Sequence, residues 1–304
     1  MTATHLRLGT RGSALARAQA NMVRRTLEAS HPGLVVELQL IRTTGDQLQQ
    51  GSLAAVGGKG LFVKEIEEGL VAGSIDFAVH SLKDVPAALH DGLAIAAIPR
   101  RADPRDVLVS RVETLDALPH GARVGTASVR RRAQVLARRR DLEFIVLRGN
   151  VDTRLRRWRE GDFDAIILAA AGLERLGVDE PAAHPIAIDI LLPAVGQGAL
   201  ALECREDDLA TRTLLGALDD PASAQAIAAE RSFLVAIGGD CNTPLAAHAT
   251  VTALRLRLRA QVSDIAGERW LEDTAEGDAH DGASIGRGLA DRLLARGAGE
   301  LLGR

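Results

Sequence analysis

Gly57–Pro86 reads GGKGLFVKEIEEGLVAGSIDFAVHSLKDVP, a glycine-rich loop, then a helix, then a short buried strand. Leu61, Ile66, Leu70 and Val71 fall near helical spacing, which leaves Lys64, Glu65, Glu67 and Glu68 for the wet side. Gly73 ends the helix, and Ile75, Phe77, Ala78 and Val79 make a short apolar run. Pro86 stops whatever follows the strand. His80, Ser81, Lys83 and Asp84 are thereby delivered at the strand's carboxyl end. Ligands of open α/β sheets bind where strands end, so this cluster is a candidate site with Asp84 at its centre.

Upstream, Leu6–Gly9 forms a strand that runs through Thr10-Arg11-Gly12-Ser13 into a helix from Ala14 to Ala29. Ser13 stands at the N-cap, where its hydroxyl can satisfy a free helix N–H. The turn offers N–H groups and a positive dipole end to an anion, and Arg11 adds a bidentate donor. Taken alone, this motif fits anion binding and plain capping equally well. Leu34–Arg42 is a second strand. Residues 43–60 lack periodicity and have the length of a lid, with Lys59 placed to swing over an anion. By residue type alone, a solvated lysine explains Lys59 as well. Lys83 beside Asp84 also fits an ordinary strand-end ion pair, but a shared sheet edge with Arg11 and Ser13 favours function.

The opening pattern recurs. Arg7–Arg17, RLGTRGSALAR, is answered by Arg123–Arg132, RVGTASVRRR, and the apolar strand Ser74–Val79 by Asp162–Ile167. Two similar α/β domains joined by a hinge would give a cleft with anion sites on both walls. Residues 100–106 read as the crossing out of the first domain and Leu191–Gly198 as the return. In the second half, Arg130 and Arg131 lie in the first turn of a helix, where a cation opposes the dipole unless an anion compensates. Arg148 ends the strand Phe144–Leu147. These three, with Arg154, are assigned to ligand, whereas Arg138–Arg140 and Arg156–Arg159 read as solvent-facing helix charge.

A helix runs from Pro221 to about Ile237, followed by the loop Gly238–Pro244. Leu254–Arg259 alternates strictly, as a half-buried antiparallel strand does. Trp270 lies in a further strand, and Ile285–Leu294 forms a closing helix. Cys204 sits in an apolar run and reads as a packed thiol. Cys241 has no companions at metal spacing, and its loop thiol is open to accident, nucleophilic use or attachment, with composition favouring accident.

The chain's 304 residues, 46% apolar and 25% charged, suit two or three globular domains. A net charge of −3 is not that of a polyanion binder, and 2% aromatic residues leave little for base stacking. A signal segment and a membrane-spanning run are both missing, and two cysteines make no disulfide framework, so a cytoplasmic location is expected.

Together, LGTRGSALARAQA, GGKGLFVKEIE, AVHSLKD, DPRD, VGTASVRRRAQ, LRGNVDTRL, LPAVGQGAL and ER…CNTP resemble the porphobilinogen deaminase (hydroxymethylbilane synthase) family over essentially the whole chain. The resemblance implies an α/β fold of two periplasmic-binding-protein-like domains with a hinge, plus a small α+β domain with an antiparallel sheet. The boundaries expected are 1–99 with 199–217, 104–193, and 221–304. It implies a transferase joining four porphobilinogen molecules head to tail, with release of ammonia, on a dipyrromethane cofactor held by thioether to Cys241. Asp84 matches the catalytic aspartate. Lys83, Thr126, Ser128, Arg130, Arg131 and Gln197 are expected on the cofactor, and Arg11, Ser13, Lys59, Arg148 and Arg154 on the substrate. No metal, nucleic acid or membrane partner is implied, and a monomer is expected. Two departures stand out: Asp240 precedes the cysteine where glycine is common, and Ala127 replaces a common serine. A non-catalytic two-lobed carrier of a small carboxylated ligand is the alternative, and a nucleic-acid binder a more distant one.

Overall fold

The computed structural model describes residues 4–43, 63–240 and 242–303. Lys59, the 43–60 lid segment beyond Thr43, and Cys241 lie outside the described residues. The chain begins β1 (Thr4–Arg11), α1 (Ala14–Ser30), β2 (Leu34–Ile41), α2 (Lys64–Val71), β3 (Phe77–Ser81) and β4 (Leu93–Ala97). Next come β5 (Asp106–Ser110), β6 (Arg123–Gly125), α3 (Val129–Arg138), β7 (Glu143–Ile145), α4 (Val151–Arg159), β8 (Ala165–Ala169), α5 (Ala170–Leu176) and β9 (Ala183–Pro185). It closes with β10 (Leu200–Arg205), α6 (Leu209–Gly216), α7 (Pro221–Ile237), β11 (Leu245–Thr252), β12 (Arg255–Ser263), β13 (Trp270–Asp278), α8 (Gly282–Ala295) and α9 (Ala298–Leu301). No helix among the described residues is long and apolar enough to cross a membrane.

The chain divides into two compact units, Met1–Arg101 with Ala199–Ala224 and Ala102–Gly198 with Gln225–Arg304. In the first, the strand order is β2-β1-β3-β10-β4, parallel except for β10, which runs antiparallel to both neighbours. Both faces of the sheet are covered. Leu6, Leu8, Phe77, Val79, Leu200 and Leu202 pack with Val23 and Leu27 of α1, while Ala78 packs with Ile66 and Leu70 of α2. Double coverage is why β3 opens with three consecutive apolar residues, Phe77, Ala78 and Val79. The Cys204 thiol is sealed in the first of these clusters, and burial pushes its pKa up to about 11.

Two details of α2 depart from expectation. Val71 is exposed, because it lies five residues beyond Ile66 and so off the stripe that Ile66 and Leu70 share. Glu67, expected in water, is half-buried and faces Glu203, His80 and His90.

In the second unit the order β7-β6-β8-β5-β9 repeats the same plan, with β5 as the antiparallel strand in fourth place. The sequence echo is therefore a topological repeat, with β6 and β8 standing where β1 and β3 do. It extends to side-chain space. A Cβ on Gly9 would lie 2.3 Å from Ile75 Cδ1, and one on Gly125 would lie 2.9 Å from both Leu147 and Phe163. Each Gly-Thr turn thus passes through a gap where an added Cβ would have to displace neighbouring core side chains.

The same unit holds the antiparallel sheet β11-β12-β13. Leu256, Leu258, Ala260 and Val262 point into its core and alternate with more exposed residues. Leu254, expected to open that alternation, instead occupies a two-residue turn with Ala253, at φ 65° and 45°, and is exposed. Two consecutive positive φ angles belong to the hairpin geometry that matches strand twist. Helix α8 crosses α7 so closely that a Cβ on Gly286 would meet Ala229 O at 2.2 Å.

Candidate functional site

In the first unit, the site elements gather at the carboxyl ends of β1 and β3. β1 ends at Arg11, which is half-buried, and Ser13 Oγ accepts the Ala16 N–H at 3.2 Å, capping α1. The cap uses an acceptor lone pair and leaves the hydroxyl proton available for donation. β3 ends at Ser81, whose Oγ accepts a hydrogen bond from Gln19 Nε2 at 2.9 Å. Gln19 is buried on the apolar stripe of α1 and was not anticipated from the sequence.

Lys83 and Asp84 follow in a 3₁₀ turn, Leu82–Asp84, rather than on the strand itself. Leu82 N–H donates to Ala199 O and Val85 N–H to Leu82 O, both at 3.1 Å. With Leu82 and Val85 buried on either side, the turn is pinned while Asp84 stays exposed. A carboxylate held on a rigid, wet turn can accept hydrogen bonds or face a developing cation without a large cost of reorganisation.

In the second unit, the strand-end motif of β6 is built the same way. Thr126 Oγ1 accepts the Ser128 N–H at 3.2 Å, and Ser128 Oγ accepts the Arg131 N–H at 3.4 Å as the cap of α3. Arg130 and Arg131 follow in the first turn, both buried. The anion that the dipole argument demanded is present in the protein: Asp106, fully buried at the start of β5. Its Oδ1 accepts from Arg131 Nε (3.0 Å), Arg131 Nη2 (2.7 Å) and Gln197 Nε2 (3.0 Å), and Arg130 Nη2 lies 2.8 Å from its Oδ2. The opposing arginine charges outweigh burial and hold the Asp106 pKa down at about 2.

In the sequence, Asp106 stands out only as the last residue of DPRD. The signal that could have found it is an aspartate opening a continuous apolar strand, DVLV, where an acid has no water to face. Gln197 joins the same cluster and also donates to Pro104 O at 2.7 Å.

Arg148 is exposed beyond β7, and Arg154 Nε donates to Gly149 O at 2.8 Å across the loop that opens α4. Five of the arginines read as helix charge are held in ion pairs rather than merely solvated: Arg138 with Asp116, Arg139 with Asp141, Arg156 with Glu160, Arg157 with Asp162 and Arg159 with Glu180. Arg139 also donates to the carbonyls of Leu115 and Leu118.

The donor set suits an acidic ligand. Two buried guanidinium groups meet one carboxylate, which leaves one positive charge, and Arg130 Nε is buried without a hydrogen-bond partner among the described residues. Burial first, and Arg131 as well, pushes the Arg130 pKa down against the pull of Asp106, so more negative charge nearby would be welcome.

Comparison with known proteins gives a consistent picture. Residues 6–213 match the family model of the porphobilinogen deaminase dipyromethane cofactor binding domain, and residues 224–295 match that of the porphobilinogen deaminase C-terminal domain. The chain is 50% identical over 303 residues to the porphobilinogen deaminase of Syntrophotalea carbinolica, covering 99% of this chain and 96% of that one. It is 51% identical over 296 residues to the enzyme of the same name from Roseiflexus sp. (strain RS-1), covering 97% of each. Among solved structures it is similar to the methionine binding protein MetQ, with a TM-score of 0.43 and 14% identity over 73% of this chain and 90% of that one. Matched along nearly its whole length by models of both parts and by relatives sharing half its residues, the chain belongs to the porphobilinogen deaminase family.

Proposed function

We propose that this chain is a transferase that joins four porphobilinogen molecules head to tail, releasing ammonia, to form hydroxymethylbilane for tetrapyrrole biosynthesis. The observation that carries this reading is the family match over the whole chain. The non-catalytic carrier reading loses its footing with it. A dipyrromethane cofactor on Cys241 supplies, when bound, the pyrrole from which the product chain grows.

Asp84 accepts pyrrole N–H groups, assists proton transfer to the leaving amine and stabilises the cation left when ammonia departs. Its exposure at the end of a pinned turn supports that role. Lys83, Thr126, Ser128, Arg130, Arg131 and Gln197 hold cofactor carboxylates, and Arg11, Ser13, Lys59, Arg148 and Arg154 those of substrate. Each incoming pyrrole carries two carboxylates, so fixed cations are needed in a protein whose net charge is negative. We place the activity in the cytoplasm, in a monomer of three domains (1–99 with 199–217, 104–193 and 221–304) that requires neither nucleic acid nor membrane.

Replacing Asp84 with Asn keeps its size and removes its charge. Turnover of porphobilinogen is expected to fall by about a hundredfold or more. Intact-protein mass spectrometry of the wild type should show an adduct that survives denaturation. Near-normal turnover by the Asn variant would remove Asp84 from the mechanism, and a bare wild-type chain mass would remove the cofactor.

A further inference from the structure

Asp106 is engaged by residues from across the second unit. Arg130 and Arg131 come from α3, and Gln197 from the segment before β10. Each guanidinium is also tied to a carbonyl on the far side, Arg130 Nη1 to Leu192 O at 2.6 Å and Arg131 Nη1 to Ile167 O at 2.9 Å. Its neighbours in DPRD do not share the task, because Asp103 and Arg105 pair with one another at 2.6 Å.

Two adjacent like charges, each nine-tenths or more buried, would turn away from one another or draw in water if nothing held them. One carboxylate with a guanidinium on each oxygen fixes both planes and neutralises half of the charge. It also consumes the Arg131 fork, since Nε and Nη2 both point at Oδ1, while Arg130 turns a single Nη2 toward Oδ2. Arg130 is thus the less satisfied of the two, and its Nε is a buried donor without a hydrogen-bond partner among the described residues.

We infer that Asp106 is a positioning residue for the anion site: it orients Arg130 and Arg131 and leaves one positive charge, centred on Arg130, for a ligand carboxylate. This rests on the reading that these two arginines hold cofactor carboxylates.

Charge and orientation predict opposite signs for one substitution. Asp106→Asn raises the local charge, so if net charge alone governed binding, the variant would bind acidic pyrroles more tightly. A positioning role predicts the reverse. In full-length Asp106→Asn protein, the fraction of chains carrying the covalent adduct, read by intact mass, is expected to drop severalfold. KM for porphobilinogen is expected to rise by about tenfold, with kcat changed much less.

If Asp106→Asn does not fold, Arg130→Gln is compared with Asp106→Asn/Arg130→Gln, in which the charge surplus is again one. The double variant is expected to be soluble and to carry less adduct than Arg130→Gln alone. More adduct in the double variant, a KM at or below the wild-type value in Asp106→Asn, or an insoluble double variant would each overturn the assignment, the last by reducing Asp106 to a structural strut. A wild type without adduct would instead remove the cofactor reading on which the inference stands.

Discussion

His80 Nε2, on the strand that leads to Asp84, lies 3.0 Å from Glu203 Oε2 on the neighbouring β10, and both side chains are almost completely buried. His80 stands opposite Ala201 and Glu203 opposite Ala78, so the two meet diagonally across the β3–β10 ladder. At that separation neither Nε2 nor the Glu203 oxygens make a well-directed hydrogen bond among the described residues. The pair is enclosed in surroundings where removing one partner leaves the other stranded.

Glu203→Ala is expected to cost about 3 kcal/mol of stability, measured by urea unfolding. A double-mutant cycle with His80→Ala should return a coupling of about 1–3 kcal/mol. Coupling near zero would show that the two groups merely share a cavity.

Glu67, on α2, faces the same pair. Burial first, and then the Glu203 carboxylate, pushes its pKa up from the ordinary 4.5, against the pull of His80, His90 and the His90 backbone N–H. A carboxyl whose folded value is raised binds more protons folded than unfolded. Between the ordinary value and the raised one, stability therefore falls as pH rises. Glu67→Gln abolishes that dependence. The variant should gain on the wild type as pH climbs through this window, and the difference should shrink as pH falls toward 4.5. Urea midpoints collected across that range test it, and a difference independent of pH would clear the carboxyl of responsibility.

What the sequence disclosed about this molecule was what is local. Ser13 was legible as a cap because a cap needs only the next three residues, and β3 because a doubly covered strand carries consecutive apolar residues, here Phe77, Ala78 and Val79. Asp106 was not legible, since its partners Arg131 and Gln197 lie 25 and 91 residues away and only the sheet brings them together. Glu67 misled for a related reason: helical periodicity assigns a side of the helix but cannot show that a buried histidine and glutamate wait underneath. Leu254 misled because alternation continues into a hairpin turn without marking where the strand stops. For Cys241, composition favoured accident, and only the resemblance of the whole chain gave the residue a role.

Gly267, in the turn between β12 and β13, sits directly on α3. Its φ is +69°, and a Cβ there would lie 2.1 Å from Ala133 O, 3.0 Å from Ala133 C and 3.1 Å from Ala137 N. These are helix backbone atoms, which cannot swing aside as a side chain can, so Gly267→Ala must move the turn or the helix. Left-handed backbone adds a further penalty for any residue with a Cβ. The expected loss is about 3 kcal/mol, read as a lowered urea midpoint. Because α3 carries Arg130 and Arg131 in its first turn, adduct content should fall together with stability. Gly299 in α9, where a Cβ would meet nothing within 4 Å, is the control, and Gly299→Ala should be neutral or stabilising by up to about 1 kcal/mol. Equal effects at the two glycines would mean that neither contact with α3 nor the left-handed backbone at Gly267 costs stability.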